Sequence, residues 1–243
     1  MFYKILLFIF IMFFPFLLYS LNIMRTIKGD LWGFVDIDSG KVLIKPMYQY
    51  AGDFFDGIAR VKLNNKWGFI DINNNVIIPF VYDFVNNFSD GLASVKSNGK
   101  WGFIDRKNRK VIDFKFDFAG NFSDNLAVIS VKNVYGFINK KGKIIISPRF
   151  DFASDFIDGV SLVALDGYYG YINKKGDFIF KPILEDGGSF SEGYAWIKLN
   201  GKYGYINKKG EIIVQPQYDE AEDVKNGKAI VILSNKRIIL NLK

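Results

Sequence analysis

An aromatic residue followed by glycine recurs along this chain at a nearly fixed interval: Trp32-Gly33, Trp67-Gly68, Trp101-Gly102, Tyr135-Gly136, Tyr169-Gly170 and Tyr203-Gly204. The first interval is 35 residues and the other four are 34. A period of this length means stacked supersecondary units, each too small to bury an apolar face by itself. The fold therefore has to be built unit by unit, and a domain count from the length of 243 residues loses its meaning.

One unit shows how the chain is expected to fold. Leu92-Ala93-Ser94-Val95-Lys96 alternates apolar and polar, the period-2 pattern of a strand with one wet face. Asn98-Gly99 follows, a strong hairpin signal because both residue types tolerate positive φ. Trp101-Gly102-Phe103-Ile104-Asp105 makes a second strand, dense in aromatic and β-branched side chains. After a polar turn, Val111 to Phe116 makes a third. In later units that turn reads Asn139-Lys140-Lys141-Gly142, Asn173-Lys174-Lys175-Gly176 and Asn207-Lys208-Lys209-Gly210. Each unit is expected to be a three-stranded antiparallel meander. Its third strand carries Pro46, Pro79, Pro148, Pro182 or Pro216, with Asp113 once, and proline there marks an edge, a bulge or a strand end. A connector of about nine residues leads onward, with Phe54, Phe88, Phe122, Phe156 and Phe190 in one column and Val224 in the last unit. A bulky apolar residue in a polar connector is expected to seal neighbouring units together.

Stacking is obligatory, because a lone three-stranded meander is only marginally stable. The ends of the chain duplicate one another: a hairpin from Ile23 to Val35 opens the array and an equivalent hairpin from Lys228 to Leu240 finishes it. A propeller completes a blade from complementary ends, and its four-stranded blades run to about 40–45 residues. The sequence thus favours an all-β, open, twisted array of six repeats and a trailing partial one over residues 22–243, with a closed β-propeller-like ring as the alternative.

Residues 1–21 differ from the rest. Lys4 is their only charge, and Ile5 to Leu18 is apolar without a break. A basic start and an apolar run read as a secretory signal, and the length also suits an uncleaved N-terminal membrane anchor. Either way the repeats are expected outside the cytoplasm, periplasmic, cell-surface or secreted, with membrane contact only through residues 1–21. Nucleic acid is a poor candidate partner there.

At its repeats the chain resembles the WG-repeat family of bacterial proteins. Lys66-Trp67-Gly68-Phe69-Ile70-Asp71, Val76-Ile77-Ile78-Pro79, Tyr82-Asp83 and Phe88-Ser89-Asp90-Gly91-Leu92-Ala93-Ser94-Val95 carry the likeness, which spans about Met24 to Leu240. Tyrosine replaces tryptophan in the last three units, and Asp113 replaces proline once. The resemblance implies an exported or envelope-associated protein and brings no shared catalytic activity.

The chain has no cysteine and no histidine. That removes disulfides, thiolate nucleophiles, zinc–thiolate sites, the commonest general base and the commonest metal ligand. No catalytic residue, metal site or cofactor is expected. Asp36-Ile37-Asp38-Ser39-Gly40 looks superficially like a calcium loop but lacks the third acid and the distal glutamate. Asp83, Asp117, Asp151, Glu185 and Asp219 fall in one column, and identical placement in every unit indicates a turn or cap role rather than a glycosidase pair.

Two binding surfaces remain. The chain carries a formal net charge of +7, and Lys140, Lys141, Lys174, Lys175, Lys208 and Lys209 occupy the same turn in three successive units. Stacked units would turn them into a basic edge that attracts anionic envelope polymers. In Tyr194-Ala195-Trp196-Ile197-Lys198 the alternation places Tyr194, Trp196 and Lys198 on one face, a candidate platform for a sugar ring or a protein. Position 196 corresponds to Arg60, Ser94, Val128, Leu162 and Ile230 in the other units. The expected function is a non-enzymatic exported binding or scaffolding protein contacting a protein or an envelope polymer, with a carbohydrate-binding module using Tyr194 and Trp196 as the alternative.

Overall fold

The computed structural model describes residues 22–242. Their regular structure is entirely β, arranged as seven antiparallel sheets in chain order. Sheets 1 to 7 occupy residues 23–48, 50–82, 84–116, 118–150, 152–184, 186–218 and 220–241. The expected signal or anchor at residues 1–21 lies outside the described residues. Among those described, no helix is long and apolar enough to cross a membrane.

Sheet 3 shows the unit. Its long strands are Leu92–Ser97, Lys100–Asp105 and Lys110–Phe116, the three expected from the sequence. The hairpin between the first two closes on Asn98 and Gly99 at φ 50° and 79°, so both residues take the positive φ that their types permit. A fourth strand, Phe84–Val85, comes from the connector and pairs with Leu92–Ser97, which makes the unit a four-stranded sheet. The connector strand has two residues in most sheets but six in sheet 4, Phe118–Ser123. Among the described residues, sheet 1 has three strands without this short one, and sheet 7 has three without a proline-bearing one. Among the described residues no sheet takes strands from both ends of the chain, so no strand pairing closes the array.

The bulge in the outermost strand explains the glycine of the repeated pair. Trp101 pairs with Phe116, but two residues further on Phe103 pairs with Ile112, so the strand carrying Asp113 has extra residues in this stretch. The bulged backbone drops onto Gly102. A Cβ on Gly33, Gly68, Gly102, Gly136, Gly170 or Gly204 would lie only 2.3–2.7 Å from a carbonyl oxygen of that strand. None of these six glycines has positive φ; they are required by close approach alone.

The core lies between sheets. Phe34, Phe69, Phe103, Phe137, Tyr171 and Tyr205, each two residues after the repeated aromatic, are at most 1% exposed. Each of the first five meets the connector aromatic of the following sheet: Phe34–Phe54, Phe69–Phe88, Phe103–Phe122, Phe137–Phe156 and Tyr171–Phe190, at 4.6–5.4 Å between ring centroids. The connector column is thus the inter-unit plug expected from the sequence. At the last interface, Val224 is smaller and Tyr205 is larger, and the tyrosine hydroxyl donates to the Glu222 carbonyl at 2.8 Å. Serine hydroxyls reinforce the contact: Ser89, Ser123 and Ser191 donate to the carbonyls of Phe122, Phe156 and Val224 at 2.6–2.7 Å.

Candidate functional site

The lysine turns are built by the asparagines that open them. Asn139 Oδ1 accepts the backbone N–H groups of Lys141 and Lys143, and Asn173 and Asn207 repeat the arrangement in the next two units. Asp36 caps its own turn in the same way through the N–H groups of Asp38 and Ser39, which gives the superficially calcium-like segment a turn role.

The lysines of the expected basic edge then divide into two sets. Lys140, Lys174 and Lys208 pair with Asp90, Asp124 and Asp158 of the preceding sheet at 3.3, 3.5 and 2.7 Å. Arg106 does the same with Asp56. Each acid sits in the tight turn after the plug, at φ between 51° and 54°. Lys141, Lys175 and Lys209 are exposed and have no carboxylate partner among the described residues. The edge is therefore a row of inter-sheet ion pairs with one uncompensated lysine per unit beside it.

The carboxylate column has a structural part to play. Asp83, Asp117 and Asp219 bind Lys66, Lys100 and Lys202 of the preceding sheet. They also accept backbone N–H groups from the hairpin turn of their own sheet: Gly99 to Asp83, Lys132 to Asp117 and Ser234 to Asp219. Asp151 and Glu185 take the corresponding N–H groups of Gly167 and Gly201. The lysine hydrogen bonds, followed by the backbone N–H groups, hold the carboxyls of Asp83, Asp117 and Asp219 below the usual aspartate range.

A group depressed in the folded state gives stability that is complete above its unfolded pKa of about 4 and is lost as pH falls through the folded value. Thermal unfolding midpoints are accordingly expected to hold from pH 7 to 5 and to drop below pH 4. Asp83→Asn should show a smaller drop than the parent, since one acid-sensitive contact is already gone. A midpoint unchanged between pH 5 and 2 would contradict this account. Each contact is solvent-exposed and individually small, so the effect is collective.

Tyr194, Trp196 and Lys198 do share one face of the strand Tyr194–Leu199, and Ala195 and Ile197 are buried on the other. Trp196 is engaged within the array. Its indole N–H donates to Asp223 of sheet 7 at 3.1 Å, and its ring meets Tyr203 at 5.6 Å. It also covers Gly188, where a Cβ would fall 2.3 Å from Nε1. Lys198 Nζ lies over the Tyr203 ring at 5.4 Å. The column containing Trp196 is an inter-sheet contact in other units too: Arg25 binds Asp53 and the Ala51 carbonyl of sheet 2, and Arg60 donates to the Val85 carbonyl of sheet 3 at 3.1 Å.

Sequence patterning missed one feature. The repeated aromatics and the first residues of the connector strands form a continuous ladder across sheets 2 to 4: Tyr50–Trp67, Trp67–Phe84, Phe84–Trp101, Trp101–Phe118 and Phe118–Tyr135 stand 5.0–6.1 Å apart. The 17-residue alternation of the two aromatic columns is present in the sequence, but the connector had to be recognised as a strand before it could be seen. A cavity of about 480 Å³ opens on the ladder, lined by Asp83, Phe84, Asn86, Lys96, Trp101 and Phe118.

Comparison with known proteins adds a family and a fold. The model of the WG containing repeat matches six consecutive segments, 32–67, 67–101, 101–135, 135–169, 169–203 and 203–236. No curated protein matches the sequence. Among solved structures, a eukaryotic initiation factor aligns with a TM-score of 0.58 at 10% identity, covering 90% of this chain and 70% of that one. Hsv2 of Kluyveromyces lactis aligns with a TM-score of 0.50 at 7% identity, covering 86% of each chain. The dihydro-heme d1 dehydrogenase NirN gives 0.50 at 13% identity, covering 87% of this chain and 58% of that one. At such identities the likeness is one of fold alone. That fold is β-propeller-like, in keeping with the alternative architecture, while the strand pairing described above leaves the array unclosed.

Proposed function

This chain belongs to the WG containing repeat family, and from that premise we propose that it is a non-enzymatic, exported binding protein that holds an anionic cell-envelope polymer along its lysine turns. The observation that carries the reading is the division of those turns. Lys140, Lys174 and Lys208 are consumed by inter-sheet ion pairs, whereas Lys141, Lys175 and Lys209 repeat, exposed and uncompensated, on three successive sheets. A row of like charges at the unit spacing suits a polyanion, whose own charges also repeat, and the net charge of +7 adds a favourable long-range field. The apolar run of residues 1–21 supports the export part of the proposal. Because Trp196 already spends its N–H on Asp223 and its ring on Tyr203 and Gly188, the lysine turns are preferred to the Tyr194–Trp196 face as the ligand surface.

Co-sedimentation of the full chain with peptidoglycan carrying teichoic acid, and with the same material stripped of it, tests the proposal. Binding is expected only to the anionic material, falling steadily as salt rises through the range where exposed charges become screened. The Lys141→Gln/Lys175→Gln/Lys209→Gln variant should bind several-fold more weakly. Equal binding to stripped material, or a triple variant that binds like the parent, would overturn it.

A further inference from the structure

Position 60 and its counterparts decide what fills the space between successive ladder aromatics. In sheet 2 the occupant is Arg60. Its guanidinium carbon lies 5.7, 5.8 and 5.9 Å from the ring centroids of Tyr50, Trp67 and Phe84, within the range of a cation–π contact to all three. One Nη donates to the Val85 carbonyl, and the arginine stem rests against Gly52, whose Cβ, were it present, would lie 3.0 Å from Arg60 Cγ. The protein thus displays a three-ring box closed around a guanidinium.

Sheet 3 builds the same three-ring arrangement from Phe84, Trp101 and Phe118. The residue in the Arg60 position is Ser94, fully buried, with its Oγ accepting from Asn86 Nδ2 at 2.9 Å. Sheets 4, 5 and 6 fill this position with Val128, Leu162 and Trp196. Ser94 is the one small side chain in the column, and the cavity of about 480 Å³ opens at that unit. Phe118, the outer wall, is 39% exposed.

We propose that the Phe84–Trp101–Phe118 box of sheet 3 binds a guanidinium group, the arginine side chain of a partner polypeptide, in the place that Arg60 takes in sheet 2. The backbone acceptor corresponding to Val85 is Ala119, the next residue in the same column. Two polar residues line the cavity as well: Asp83, already paired with Lys66, stands where sheet 2 has Gln49, and Asn86 stands where sheet 2 has Gly52. Lys96 also lines the cavity, but sheet 2 carries Lys62 at the corresponding position, directly paired with Tyr50, and accommodates Arg60 all the same. The site goes beyond the polymer-binding reading: it uses the aromatic ladder, and no lysine of the turns contributes to it.

The experiment is titration of the full, nitrogen-15-labelled chain with N-acetyl-arginine amide and, separately, with its neutral isostere N-acetyl-citrulline amide, following the Trp101 indole N–H resonance. Saturable shifts with the arginine compound and at least about tenfold weaker binding of the citrulline compound are expected, because the ring quadrupoles reward positive charge. Asn86→Gly/Ser94→Arg recreates the Gly52–Arg60 pair and should block the box from within, abolishing the titration while the fold is retained. Phe118→Ala removes an exposed wall and should weaken binding without filling the site. The Lys141→Gln/Lys175→Gln/Lys209→Gln chain should titrate like the parent, so this inference and the polymer proposal can fail separately. Equal affinity for both compounds, no shift with arginine, or undiminished binding by the self-filled variant would overturn the inference.

Discussion

Replacing Phe122 by alanine is expected to destabilise the protein by about 3–5 kcal/mol, the range for emptying a buried phenylalanine site. Phe122 is 1% exposed and lies 4.8 Å from Phe103 across the interface between sheets 3 and 4. Its removal opens a void that neither sheet can fill alone, because each is held by its own ladder of hydrogen bonds. In an array whose units touch only their neighbours, one weakened interface also separates the two sides energetically. Urea unfolding should therefore split into two steps. Trp32, Trp67 and Trp101 lie on one side of the interface and Trp196 on the other, so fluorescence and far-ultraviolet circular dichroism should no longer coincide. Phe122→Val should be milder, since the last interface already works with Val224 in this column. A single coincident transition with a loss below about 1 kcal/mol would show that the plug does not hold the sheets together.

Gly136→Ala is the second large effect expected. A methyl group there would stand 2.6 Å from the Ile146 carbonyl oxygen and from the Pro148 nitrogen, and 2.8 Å from Pro148 Cα. All three are backbone atoms of the bulged strand, so no side chain can swing aside. Overpacking typically costs about 1–3 kcal/mol, and a clash with backbone belongs at or above the upper end. Gly201→Ala is the comparison. Gly201 has φ of 71° and nothing within 4 Å of the added Cβ, so it should cost only the roughly 1–2 kcal/mol of left-handed strain. Thermal unfolding of both variants decides the matter: equal losses would mean that the bulged strand shifts aside and the close approach costs no more than left-handed strain.

Much of the unit was legible in the residues. The strand over Leu92 to Lys96, the Asn98-Gly99 turn and the phenylalanine plug column all appear where the pattern placed them, but the strand has no wet face: Leu92, Ala93, Ser94 and Val95 are all buried, because the next sheet's connector covers the side expected to be wet. The connector strand was not legible, because two residues such as Phe84 and Val85 are too few for any period to show. Of the candidate sites, the lysine turns were found by their repetition. Their splitting into paired and unpaired lysines was hidden, since Lys140 and Asp90 are 50 residues apart, a spacing that is no multiple of the repeat. The partner of Trp196, Asp223, lies 27 residues on and raises no local signal.

The residue pattern was enough to place the three long strands of each unit, the turns between them and the succession of units, because these depend on a residue's own φ preference and on the periodicity of its neighbours. Tertiary packing settled which lysines are neutralised, why each repeated glycine must lack a side chain, and where the aromatic ladder opens beside Asn86. Those outcomes depend on the face that one sheet presents to the next. What a side chain meets there is set by residues 17, 33 or 50 positions away and by the stacking that brings them within 2.6–5.0 Å.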